Sequence, residues 1–252
     1  MCAHLELHYG GYCQECRSHH ALPVQPAMKA AASLLAGLQD NSLLSSTATE
    51  PLFGEARGKM FGVMLTQNTT GEQRIIKAFS GQLNGDWLIP GWVPPLFDVN
   101  QFNGINTPEE KRVKALSKQI NASVCHDEQQ ALKIERRARC RTLMKEIHRL
   151  YLLHNFRGAQ RPMASFFQAK KGTPTGAGDC CAPKLIHHAL QHELIPLGIA
   201  EFYFGRENRS QTKQHGHFYS SCNSGCAPIL GFMLCGLEGL GEIPRKKRDT
   251  LK

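Results

Sequence analysis

Lys59-Met60-Phe61-Gly62-Val63-Met64-Leu65-Thr66 is an apolar run of strand character. Gln73-Arg74-Ile75-Ile76-Lys77-Ala78-Phe79-Ser80-Gly81 returns after the turn residues Asn68-Thr69-Thr70-Gly71-Glu72. Two such runs joined by Asn and Gly predict a β-hairpin. Next come Asn84-Gly85, Trp87, Pro90-Gly91-Trp92 and Pro94-Pro95, which describe a rigid loop. Its tryptophans are expected to plug the sheet edge, a stacking platform for a base being the other reading. Further on, Leu185, Ile186, Ala189, Leu190 and Glu193 keep a helical period over 181–194. Residues 197–205 form an aromatic-rich strand, and a last helix starts near Ala227 with Ile229, Leu230, Met233 and Leu234. Upstream, the Ala- and Leu-rich stretch 27–39 predicts a helix with Leu34, Leu35 and Leu38 on one face. Hairpin, helices, strand and helix in that order predict an α/β core over about 55–240, its strands packed with helices in a layered sheet.

Three further segments surround or interrupt that core. Residues 1–54 form a Cys/His-rich segment and helix, of which 1–26, broken by Gly10-Gly11, Pro23 and Pro26, read as irregular. Residues 107–171 form a helical basic insertion. Thr107-Pro108-Glu109-Glu110 predicts one helix start, with Thr as N-cap and Pro at the first position. A second helix is expected over about 127–154, with Cys140, Leu143, Met144, Ile147, Leu150, Tyr151 and His154 as its buried stripe. Residues 241–252 form a basic tail through Arg245-Lys246-Lys247-Arg248.

The 252 residues carry 30 Lys and Arg against 21 Asp and Glu, a net +9, and are 41% hydrophobic. That composition excludes a disordered chain, and no repeat period is found. The longest apolar runs, at 150–153 and 229–234, are far short of the roughly 18 residues of a membrane span. Residues 107–171 alone hold 15 Lys and Arg against 6 Asp and Glu. A basic excess so localised predicts a polyanion partner, structured RNA such as tRNA or rRNA, with Arg136, Arg137, Arg139, Arg141 and Arg149 as the phosphate-binding face. A solvated helix face is the plainer reading of the same residues. The opening Met1-Cys2-Ala3-His4-Leu5-Glu6 lacks a basic region followed by an apolar run, so a cytoplasmic location is expected.

In that reducing compartment, ten cysteines read as metal ligands before disulfides. Cys181-Ala182-Pro183 and Cys226-Ala227-Pro228 each stand where a helix is about to start. There the helix dipole and free N–H groups favour the thiolate that binds zinc. Cys222 and Cys180 lie beside them, and His215 and His217 arrive just upstream. Three or four of these are expected to converge on a tetrahedral zinc ion, Cys181, Cys222 and Cys226 first and Cys180 after them, with His217, His215 or neither completing the shell; small buried thiols are the alternative. Cys140 and Cys235, in helical stripes, read as core. A second cluster holds Cys2, His4, His8, Cys13, Cys16, His19 and His20; the CxxC of Cys13 and Cys16 with His19 resembles half of a zinc finger and offers a second metal group, chance flanking histidines being the other reading.

The layout resembles the zinc-dependent nucleobase and nucleoside deaminases. Their fold runs hairpin, helix opening with a Cys or His ligand and a catalytic Glu two residues on, strand, then helix opening with two cysteines. The resemblance implies a deaminase-like layered sheet and zinc-activated water. Two departures stand out. Ala182 and Pro183 occupy the positions two past Cys180 and Cys181, and Cys222 and Cys226 are separated by three residues rather than two. Asp179, or else Glu201, is the expected substitute for the missing carboxylate, Asp179 being adjacent to the ligands.

Longer phrases resemble the N-terminal region that precedes the catalytic domain in bacterial RluA-type pseudouridine synthases. They are Phe79-Ser80-Gly81-Gln82-Leu83, Pro90-Gly91-Trp92-Val93-Pro94-Pro95-Leu96-Phe97-Asp98, Gly176-Ala177-Gly178-Asp179-Cys180-Cys181-Ala182-Pro183-Lys184-Leu185, Ala200-Glu201-Phe202, and the run from His215-Gly216-His217-Phe218-Tyr219 to Cys226-Ala227-Pro228-Ile229-Leu230-Gly231. No Gly-Arg-Leu-Asp motif with a nucleophilic Asp occurs. This resemblance implies an RNA-associated, zinc-stabilised accessory protein that works beside an RNA-modifying enzyme. The deaminase-type hydrolase and a metal-free structural α/β protein are the alternatives.

Overall fold

The structure is a computed structural model that describes residues 7–168, 172–222 and 225–242. The expected basic tail at 245–248 lies outside the described residues. The elements in chain order are β1 (His8–Cys13), β2 (Ser18–Pro23), α1 (Met28–Gln39), the single turn α2 (Ser46–Thr49), β3 (Lys59–Gln67) and β4 (Gln73–Phe79). Then follow α3 (Val99–Ala122), α4 (His126–Arg149), β5 (Leu152–His154), β6 (Gln160–Pro162), α5 (Cys181–Gln191), β7 (Ile195–Phe204), β8 (Phe218–Tyr219), α6 (Ala227–Met233) and α7 (Leu237–Glu242). The chain is thus mixed α/β, with antiparallel sheets. Contacts divide the described residues into two compact units: those within 1–95, 153–161 and 174–252 make the first, those within 96–152 and 162–173 the second.

In the first unit the central sheet has the order β4-β3-β7-β8. Every neighbouring pair in it is antiparallel. Phe61 faces Phe202 and Val63 faces Ala200 across the β3–β7 pair, so one face of the sheet is continuously apolar. Helix α1 packs against β3 and β7 on that side, and α5 covers the face that carries Gly62. Trp92 is buried edge-on against Phe61 and Phe79. The loop tryptophan at 92 therefore plugs the sheet.

Lys184 is also buried, and its ammonium donates to the carbonyls of Phe79 (3.0 Å) and Gly81 (2.9 Å), fastening α5 to the end of the hairpin. The N-terminal stretch expected to be irregular is instead a second hairpin. Strands β1 and β2 pair in full register from His8↔Pro23 to Cys13↔Ser18, and β1 lies on α6. Glycine made the stretch look broken. Yet Gly11 and Gly231 are needed where β1 crosses α6, since a Cβ on Gly231 would stand 2.5 Å from the Tyr12 carbonyl carbon.

The second unit is a helical hairpin of α3 and α4, with Phe102, Leu116, Ile120, Leu143 and Ile147 buried. Its first helix begins at Val99 rather than at Thr107. Asp98 is the cap, its carboxylate accepting from Gln101 N at 2.8 Å, and Pro108 lies inside the helix. A charged cap joined to a periodic run outweighs the one hydrogen bond that the proline removes at the Gly104 carbonyl. Helix α4 stops at Arg149, and residues expected to be its last turn, Leu152 to His154, form strand β5. No helix among the described residues is long and apolar enough to cross a membrane.

Candidate metal centres

Two groups of cysteines assemble in the first unit. At the first, Cys180 caps α5 and Cys226 caps α6, while Cys222 stands on the approach to α6. The three thiols stand close enough to shift one another's titration, and the interaction with Cys180 and Cys226 favours the thiolate on Cys222, whose pKa falls to about 2. The same contacts, with burial, push Cys180 and Cys226 upward. Main-chain N–H groups of Gly225 and Cys226 also support the Cys222 thiolate. Cys222 is exposed, Cys180 half-buried and Cys226 buried, so the group opens to solvent on one side.

Glu201 joins this group from β7. It is 5% exposed, and its Oε1 accepts from Ala182 N at 2.7 Å. Burial pushes its pKa up to about 8, with the nearby Cys222 thiolate adding to the effect. The carboxylate reaches the start of α5 by crossing Gly62, its cross-strand partner. A Cβ on Gly62 would lie 2.9 Å from both Glu201 Cγ and Cys181 Cβ, so only glycine lets strand, carboxylate and helix approach this closely. Lys213 completes the setting. Its ammonium stands 3.6 Å over the Tyr219 ring, and its charge acts on Glu201 and all three thiols, although burial lowers its own pKa.

Several expected ligands lie elsewhere. Cys181 is fully buried, with its thiol turned into the sheet toward the carbonyls of Met60 (3.3 Å) and Ala78 (3.6 Å), so its neighbour Cys180 takes its place. His215 accepts from Gly205 N at 3.1 Å through Nδ1 and packs between the rings of Phe53 and Phe204. His217 is exposed, and its main chain bonds to Tyr203 N and the Gln214 carbonyl. Asp179 is half-buried, its charge felt by Lys59 and Lys184, and its carbonyl accepts from Gly81 N at 2.9 Å.

The second group holds Cys13, Cys16, His20 and Cys235, whose ligand atoms all lie within 4.8 Å of one another. Three thiols and one imidazole in this spacing are compatible with zinc. Cys13 and Cys16 appear as expected, but the histidine is His20. His19 is exposed, its ring resting edge-on against Tyr12. Strand alternation turns His20, the neighbour of His19, to the buried face of β2. Cys235, read from sequence as core, follows α6 and supplies the fourth donor. Cys16 Sγ stands 2.9 Å from His20 Nε2 and has its pKa lowered to about 6 by that contact, whereas burial raises Cys235 to about 12.

In the second unit, the five arginines expected to bind phosphate divide. Arg136 donates to Ser117 Oγ at 3.1 Å, and Arg139 pairs with Glu135 (3.0 Å) and Glu109 (3.6 Å). Arg137, Arg141 and Arg149 are exposed, and Lys145, also exposed, falls between the last two at the same four-residue spacing.

Comparison of the chain with protein-family models, with curated proteins and with solved structures finds no match.

Proposed function

We propose that this chain is a zinc-dependent hydrolase of the deaminase type, acting on a nucleobase or nucleotide, with Cys180, Cys222 and Cys226 as ligands and Glu201 as proton carrier. One observation carries this reading: a buried carboxylate is held against Ala182 N, two residues past Cys180, beside thiols whose titrations it and they shift together. That is the position from which the catalytic Glu departs in the deaminase pattern. In this reading the strand residue Glu201, bonded to Ala182 N, stands in for it.

Three protein donors leave a fourth position open, as catalytic rather than structural zinc sites do. Zinc in this group would supply Lewis-acid activation of water. The chain's own residues do the rest. Burial favours the protonated form of Glu201, and because Ala182 N–H donates to Oε1, Oε2 is the oxygen that would carry the proton. From there it can pass to a ring nitrogen or a leaving amine. Lys213 offsets the negative charge of the thiolates. The element order of hairpin, helix opened by Cys180, strand and helix opened by Cys226 supports the same reading.

The test is ammonia release from a panel of bases, nucleosides and nucleotides by zinc-loaded protein. Release is expected, and Glu201→Gln should reduce it about 10²- to 10⁴-fold with zinc retained. No release from any member of the panel by folded, zinc-loaded protein overturns the reading.

A second reading, the RNA-associated accessory protein implied by the pseudouridine synthase resemblance, rests on a separate observation. Arg137, Arg141, Lys145 and Arg149 are exposed at i, i+4 spacing along α4. That places cations about 6 Å apart in a row, matched to a phosphate backbone. Binding to tRNA or rRNA fragments should weaken steeply with salt, and Arg137→Glu with Arg141→Glu should abolish most of it. Binding indifferent to salt removes this reading.

A further inference from the structure

We infer that Cys13, Cys16, His20 and Cys235 bind a structural zinc ion that clamps the β1–β2 hairpin to the end of α6 and so holds Tyr9 between β7 and β8. The metal site stands apart from the hydrolytic reading; only its consequence for Glu201 rests on that reading.

The donor set is complete. Cys13 ends β1, Cys16 lies in the turn, His20 is on β2, and Cys235 comes from the far end of the described chain. Three thiolates and an imidazole fill a tetrahedron and leave no open position, which is the composition of structural zinc sites. The imidazole is oriented for this role. His20 Nε2 faces the sulfurs, while Nδ1 bonds Glu238 Oε1 at 3.2 Å. A carboxylate on the outer nitrogen is the usual support for a zinc-bound histidine, fixing its tautomer and ring plane. An apolar core needs no such arrangement.

The surroundings brace each ligand. Phe156 N donates to the Cys235 carbonyl at 3.0 Å, and Arg161 pairs with Glu15 in the CxxC turn at 3.0 Å. Joining ligands so distant in sequence removes much of the freedom of the unfolded chain.

The clamp has a consequence one hydrogen bond away. Tyr9, on β1, is fully buried, and its hydroxyl accepts from Glu201 N at 2.9 Å while donating to the Tyr219 carbonyl. Glu201 and Tyr219 are cross-strand partners, so the tyrosine hydroxyl is inserted into the ladder of β7 and β8 at the residue that bears the carboxylate. Tyr9 is therefore a positioning residue for Glu201, held in place by the hairpin that the zinc clamps.

The experiment starts from the full chain carrying Cys180→Ser and Cys222→Ser, which removes the other group. It should retain one zinc per chain, and cobalt in its place should show the bands of a tetrahedral, thiolate-rich site. Adding Cys235→Ser should remove the metal. Glu238→Gln, at an exposed residue, should leave the fold intact and weaken zinc about 10- to 100-fold in chelator competition. Zinc removal, or Tyr9→Phe with zinc bound, should speed amide exchange in 195–204 about five- to tenfold through loss of one hydrogen bond. A folded double-serine protein without metal overturns the site, and so does unchanged affinity in Glu238→Gln made in the full wild-type chain. Unchanged exchange in 195–204 on zinc loss overturns the positioning role. None of these readouts uses catalysis, so they separate this inference from the hydrolytic reading.

Discussion

The two cysteine groups of the first unit present the same soft donors in different settings. Cys13, Cys16 and Cys235 meet an imidazole and form a closed set of four, with Glu238 outside it on the histidine. Cys180, Cys222 and Cys226 meet no fourth soft donor among the described residues. Beside them stand a buried carboxylate and an ammonium, and one thiol faces solvent. A filled shell holds chain segments together; an unfilled shell with an acid beside it can do chemistry. What separates them is the partner that joins the three thiols, an imidazole in one group and a carboxylate in the other.

Cys226→Ser and Cys235→Ser put the greatest strain on that contrast. The first should lower hydrolysis by about 10³-fold or more with little change in melting temperature. The second should lower the melting temperature by more than about 10 °C while activity survives in the cold. Measured side by side, the two variants would erase the distinction by losing stability and activity in the same proportion. Next in size is metal release. A chelator should take zinc from the open group about 10- to 100-fold faster than from the closed one, because Cys222 is exposed whereas Cys13, His20 and Cys235 are buried. Stopped-flow release with a colorimetric chelator should give two phases in the wild type and only the slow one in Cys180→Ser/Cys222→Ser.

Two glycine substitutions sharpen the comparison at smaller scale. Gly231→Ala crowds β1 against α6, and Gly62→Ala crowds Glu201 and Cys181. Each should cost about 1–3 kcal/mol in denaturant melts. Only Gly62→Ala should also reduce kcat, since its Cβ displaces the carboxylate.

The smallest effect concerns acid. His187 and His188, on the helix that carries the open group, have pKa values lowered to about 4, first by burial and then by neighbouring imidazoles, His154 for the one and His192 for the other. Their Nδ1 atoms are buried without a hydrogen-bond partner among the described residues. The unfolded chain binds these protons near pH 6.5 and the folded chain does not until about pH 4, so stability is full above that window and falls as pH drops through it. The loss should be about 1–2 kcal/mol for the pair after solvent screening, and His188→Gln should flatten the slope of melting temperature against pH.

Much of the architecture was legible in the residues. The hairpin at 59–81, the helix at 28–39 and the helix–strand pair that follows Cys180 all carry local periodicity strong enough to survive packing. The N-terminal hairpin was not legible, because glycines that permit β1 to cross α6 look like breaks when the crossing helix is unseen. Reading that stretch as irregular also concealed strand alternation, and with it the choice of His20 over His19. Of the open group, Cys180, Cys222 and Cys226 could be named from their loop-to-helix positions. The sequence offers Glu201 only as an alternative to Asp179, and Lys213 carries no signal in it at all.

By itself, then, the sequence determined where α1, α5 and α6 begin, that residues 59–81 pair as a hairpin, and which stretches concentrate soft ligands and positive charge. These are properties of near neighbours, set by periodicity, caps and turn residues. Only the tertiary structure decided between Cys180 and Cys181, which point in different directions from one helix start until the sheet buries one of them. It alone brought Cys235 to Cys13 and Glu201 to Ala182. The physical reason is the same in each case: a thiol or a carboxylate acquires its role from what faces it, and those partners lie far away along the chain.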